Sequence, residues 1–195
     1  ALPICGPVAG TRYLAASVPL LRGAAAGRLA LAADGLEVFN FFVADQVRVP
    51  GQRARYAALG GLADRATLRG TEKHYAFNTA TGASHEWWDA PMVLPATIPP
   101  GEQRLYRLPM GAEPAGARLR GVIQVIAAQP LPGAAPLVAV NGRRLAGGRR
   151  ANELLFPAGP YRRHVPEHRA WNAVFPVRLL REGWNQITLR NTGAE

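Results

Sequence analysis

Leu36-Glu37-Val38-Phe39-Asn40-Phe41-Phe42 is an almost unbroken apolar run, set off from what precedes it by Asp34-Gly35. A strand with one face in water alternates polar and apolar residues. A run like this one suits a strand covered on both faces, as in a parallel sheet. Its flanks agree. Residues 17 to 33 carry a helical signal, with Ser17 placed as an N-cap and Pro19 in the first turn. Leu20, Leu21, Ala24, Ala25, Leu29, Leu31 and Ala32 then make a broad apolar face. Gly23 and Gly27 lower the helix propensity, but small residues there let the helix backbone approach a sheet closely. Residues 3 to 8 read as a short buried strand before this helix, and a second, shorter helix is expected over about 52 to 62. Strand, helix, strand, helix is βαβα grammar.

The pattern changes after Lys73. Pro and Gly become frequent, and short apolar runs alternate at 103–108, 117–126, 137–140, 172–179 and 186–190. Asn141-Gly142 directly after an apolar run is a strong hairpin-turn signal, and Glu182-Gly183 marks another turn before the final strand. These features indicate an antiparallel β-sandwich over the second part of the chain.

Composition narrows the function classes. No window reaches the roughly 18 uninterrupted apolar residues of a membrane helix, so no membrane partner is expected. One cysteine, Cys5, excludes an internal disulfide framework and any multi-cysteine metal site. Cys5 itself reads as a small buried core residue. The formal net charge of +10 invites a nucleic-acid reading. Of the 23 basic residues, however, only Lys73 is lysine, and the arginines are scattered singly or in short pairs rather than interleaved with aromatics. That dispersal weighs against nucleic acid. The first residues have neither a charged n-region nor a long apolar h-region, so they do not read as a signal peptide. They read instead as a strand entered in mid-fold.

Several stretches resemble known families. Leu29-Ala30-Leu31-Ala32-Ala33-Asp34-Gly35, continuing into the apolar run 36–42, resembles the helix-to-last-strand passage of bacterial glycoside-hydrolase-like (β/α)8 barrels. Glu72-Lys73-His74-Tyr75 resembles the sequence that leaves such a barrel towards an appended β-domain. Val138-Ala139-Val140-Asn141-Gly142, and later Leu179-Leu180-Arg181-Glu182-Gly183-Trp184-Asn185-Gln186-Ile187, look like the turn and closing hairpin of galactose-binding-like jelly rolls. The resemblance implies a mixed fold. Residues 1–75 would be the last βα units of a (β/α)8 barrel, incomplete here, and 76–195 an antiparallel, galactose-binding-like β-sandwich. A whole barrel needs about 250 residues, so the expected partner is upstream barrel polypeptide supplying the rest of the wall. The implied function is the C-terminal part of a carbohydrate-active enzyme acting on a glycan substrate, inactive by itself, with secretion or a periplasmic location expected from the family. A non-catalytic carbohydrate-binding module and a basic nucleic-acid-binding protein are the alternatives.

On a barrel of this kind, working groups sit at the C-terminal ends of strands. The resemblance thereby directs attention to Asn40, and beyond it to Asp45 and Gln46, as sugar-binding groups. Glycoside hydrolysis normally needs two carboxyl groups. Residues 3 to 8 carry none, so the catalytic pair is expected upstream and stays unassigned. Glu37, in mid-strand among apolar neighbours, reads as half of a structural ion pair. His85-Glu86-Trp87-Trp88-Asp89 is the densest polar-aromatic cluster. Its indoles could stack on sugar rings and its carboxylates accept hydroxyl hydrogen bonds, although packing at the joint between the two parts is the stronger use for Trp87 and Trp88. Trp171 and Trp184 read as core or edge packing of the sandwich, and Tyr161, Arg162 and Arg163 as the lining of a groove at its edge. His164 and His168 have i,i+4 spacing, but Pro166 between them argues against a helix. No metal and no cofactor are expected.

Overall fold

The computed structural model describes residues 2–4, 18–38, 52–76, 94, 96–114, 116–131, 135–155 and 164–193. Strand β1 (Leu2–Ile4) pairs in parallel with β2 (Leu36–Val38), Leu2 opposite Leu36. Parallel neighbours cannot be joined by a hairpin. Helix α1 (Val18–Ala30) lies in the connection between them. It buries Leu20, Leu21, Ala25 and Leu29 of the anticipated face, and Ala26 besides, whereas Leu31 and Ala32 fall beyond its end, Ala32 exposed and at a left-handed φ of 61°. Helix α2 (Gln52–Leu59) and the single turn α3 (Arg65–Leu68) follow, and Leu62 and Leu68 complete the cluster under α1. Asp64 caps α3 by accepting from the backbone N–H groups of Ala66 and Thr67 at 2.9 and 3.1 Å.

Among the described residues seven strands come next: β3 (Gln103–Met110), β4 (Arg120–Ile126), β5 (Leu137–Val140), β6 (Arg143–Arg144), β7 (Arg149–Ala151), β8 (Ala170–Pro176) and β9 (Gly183–Arg190). They form two antiparallel sheets, one ordered β3-β9-β5-β6 and the other β4-β8-β7. Tyr106, Met110, Val138, Val140 and Ile187 from the first sheet meet Ala173 and Phe175 from the second in one core. The expected β-sandwich is therefore present. Of the expected barrel end, the described residues hold one parallel strand pair and its crossover helix; a closed barrel wall is not among them.

The Asn141-Gly142 turn joins β5 to β6 with φ of 48° and 80°, the two left-handed positions of a tight hairpin. Asn141 does more than turn the chain. Its amide nitrogen donates to the Leu179 carbonyl at 2.7 Å and to Asn185 Oδ1 at 2.8 Å, and its Oδ1 accepts from Gln186 N at 2.9 Å. Asn185 is fully buried, accepting also from Arg181 N and donating to the Arg181 and Gly183 carbonyls. A buried amide satisfied on every side holds the β5-β6 turn against the start of β9 and fixes its register.

Candidate functional site

The residues singled out from the sequence as sugar-binding, Asn40, Asp45, His85, Glu86, Trp87 and Trp88, lie outside the described residues, as do Gln46, Cys5 and residues 161–163. Glu37 belongs to β2, but its side chain is not described. His164 forms an isolated bridge with Glu153, and His168 sits in a turn at φ 60°, so the pair is not on a helix, as Pro166 implied. Among the described residues no group of three His, Cys, Asp or Glu side chains is placed to hold a metal. No described helix is long and apolar enough to cross a membrane.

The structure draws together two other groups of residues. The first is the seam between α1 with its neighbours and the sandwich. A Cβ on Gly27 would stand 2.7 Å from the Pro109 carbonyl oxygen of β3, and one on Gly23 would stand 2.0 Å from that of His74. His74 N donates to the Pro19 carbonyl at 2.9 Å, tying the segment after α3 to the first turn of α1. The small residues at 23 and 27 thus permit the close approach their spacing suggested. Beside them, Lys73 Nζ lies 2.7 Å from Glu113 Oε1, with both side chains only 4% exposed. The ammonium also donates to the Leu68 and Thr71 carbonyls at 2.5 and 3.0 Å, and Glu113 Oε2 accepts from Gly70 N at 2.8 Å. Every charge-bearing atom of this pair has a partner, the condition under which a buried ion pair is tolerated.

Tyr75 crosses the same seam, its hydroxyl accepting from Gly111 N at 3.2 Å, and burial pushes its phenol well above the usual tyrosine range. Glu182 accepts from Ala112 N at 2.6 Å, and Arg65 reaches the Leu29 carbonyl at the end of α1. The Arg65–Glu182 pair, 3.8 Å apart and largely solvated, adds little. The gap left between Ala26, Leu68, Lys73 and Ala112 measures about 20 Å³. That is room for one water, far from the roughly 300–1,000 Å³ of a ligand pocket. The seam is a joint.

The second group lies on the outer face of the four-stranded sheet. Tyr106, Leu108, Ile187 and Leu189 face the core, so Leu105, Arg107, Trp184, Gln186, Thr188 and Arg190 point outwards. Trp171 fills the interior at 2% exposure, as expected of a sandwich tryptophan, but Trp184 is 48% exposed and corrects the packing role read for it. Its position explains this: residue 184 is one step out of phase with the inward series 183, 185 and 187. The Arg107 guanidinium lies 5.1 Å from the Trp184 ring centroid, the geometry of a cation-π contact. That alternation was legible in the sequence. An open hollow of about 440 Å³ bounded by Ile98, Pro99, Glu102 and Gln103 lies at the far end of β3.

No protein-family model matches the chain, and no curated protein is significantly similar to it in sequence.

Proposed function

We propose that the chain is the C-terminal part of a carbohydrate-active, glycoside-hydrolase-like protein, in which the β-sandwich braces a βα layer and adds to its glycan-contacting surface. The observation that carries this reading is the seam. A parallel strand pair crossed by α1 is locked to the sandwich by the buried Lys73–Glu113 pair and by glycine-mediated backbone contact. Such a joint suits a sandwich whose work is to hold the preceding layer. The exposed Trp184 beside arginine, glutamine and threonine adds a surface on which a sugar ring can stack and its hydroxyls find partners.

The test is a titration of the full chain with soluble polysaccharides, followed by tryptophan fluorescence and calorimetry. Saturable binding to a glycan is the expected result. No response to any glycan, together with duplex DNA binding that collapses steeply with salt, would replace this reading with the nucleic-acid one.

A further inference from the structure

The outer face of the four-stranded sheet has a charge pattern that says more than "sugar". The register of β3, β9, β5 and β6 aligns Leu105, Thr188, Ala139 and Arg144 in one row, Arg107 and Gln186 in the next, and Gln103, Arg190 and Leu137 on the other side. Three arginines therefore point from one face. Among the described residues Arg107 is engaged by the Trp184 ring alone and Arg144 has no partner, while Arg190 uses Nε on the Gly101 carbonyl at 3.2 Å. Glu102 and Glu182 flank the two ends of the face, and Glu182 is committed to Ala112 N and Arg65. Among the described residues of these four strands there is no Asp or Glu at all.

Three cations on one face with no strand carboxylate to neutralise them make a site for negative charge. Their spacing indicates its form. Arg107 and Arg144 stand three strand spacings and two residues apart, about 16 Å, and the series from Trp184 to Arg190 runs about 20 Å along β9. Those separations suit an extended polymer carrying repeated charges rather than one small anion. Trp184 gives the face a single described aromatic, flanked by Gln103, Gln186 and Thr188, which pair with hydroxyls. Single-stranded nucleic acid is instead gripped by successive aromatics that stack consecutive bases.

We propose that this face binds an acidic polysaccharide, its carboxylate or sulfate groups held by Arg107, Arg144 and Arg190 and one sugar ring lying on the exposed surface of Trp184. The proposal rests on the carbohydrate reading above and adds the charge class of the glycan and the surface that reads it.

The experiment titrates the full chain with polygalacturonate, neutral dextran and oligothymidylate by calorimetry at low and moderate salt. The same titrations are run on Trp184→Ala, on Arg107→Gln/Arg144→Gln, and on Arg120→Gln, a control in the other sheet. The altered side chains are exposed, so unchanged circular dichroism is required of each variant. Polygalacturonate should bind saturably and more weakly as salt rises, with dextran at least about tenfold weaker. The tryptophan and double-arginine variants should each lose about tenfold, and Arg120→Gln should match the parent. Polygalacturonate binding that survives both face variants overturns the proposal, as does its absence. Equal affinity for dextran overturns the acidic preference while leaving the glycan reading standing. A preference for oligothymidylate with no glycan bound overturns both.

Discussion

Lys73 is the single lysine in a chain that otherwise uses arginine for its basic residues, and its site accounts for the exception. Its three acceptors, the Leu68 and Thr71 carbonyls and Glu113 Oε1, surround one small ammonium. A planar guanidinium could not present donors in those three directions in so confined a place. Lys73→Met leaves the Glu113 carboxylate buried without its counter-charge and should cost about 3–5 kcal/mol of unfolding free energy. Adding Glu113→Gln removes that charge and keeps an acceptor for Gly70 N, so the double variant should recover most of the loss in denaturant titrations. Tyr75 gives the same seam a pH dependence. Burial raises its folded-state pKa above the ordinary 10.0, so the stabilisation it provides is whole below about pH 10 and drains away as pH climbs further. Tyr75→Phe, which leaves Gly111 N without its acceptor, should be about 1–2 kcal/mol less stable at pH 8. It should also lose stability less steeply above pH 10; an unchanged alkaline slope would contradict the assignment. Tyr106, raised by burial as well, adds to the slope in the same direction.

Among the elements, α1 decides how the molecule is joined. Alanine is a better helix former than glycine, and in an isolated helix Gly23→Ala would gain about 1 kcal/mol. Here the added methyl meets the His74 carbonyl, part of a backbone anchored to Pro19, so the substitution should instead destabilise by about 1–3 kcal/mol. Gly35→Ala, with open space around its would-be Cβ, should leave the thermal midpoint nearly unchanged. The contrast between the two, read by thermal unfolding, separates close packing from a general intolerance of substitution. What the sequence made legible at this scale follows from periodicity. Helix α1 and strands β3, β4, β5, β8 and β9 have enough residues for their patterns to stand out, and each was expected close to where it lies. Strands β6 and β7, of two and three residues, and the single turn α3 are too short to show a period; the strands form because neighbours present free backbone partners, and α3 because Asp64 caps it.

At the scale of the whole molecule, the two parts meet through residues far apart in sequence: Gly70 with Glu113, Tyr75 with Gly111, Gly27 with Pro109. Charges and small residues can be read from a sequence, but which of them will face one another cannot. For that reason the Lys73–Glu113 joint and the basic outer face have no signature in the sequence, while the Asn141-Gly142 turn, a local signal, has one. The sequence points to a strand end at Asn40, to Asp45 beyond it and to the local cluster 85–88 as candidate sugar-binding groups, all outside the described residues. The basic outer face is built differently, from side chains of four strands brought into rows by their register. If the sandwich braces the layer before it, the two must share one cooperative stability. Native-state hydrogen exchange on the full chain, with Lys73→Met alongside, tests this most directly. The central amides of α1 and those of β3 and β9 should exchange with the same opening free energy in the parent. In the variant, α1, β3 and β9 should lose protection together and by the same amount. Helix amides that exchange freely in the parent while β3 and β9 stay protected, or an α1 indifferent to Lys73→Met, would contradict it.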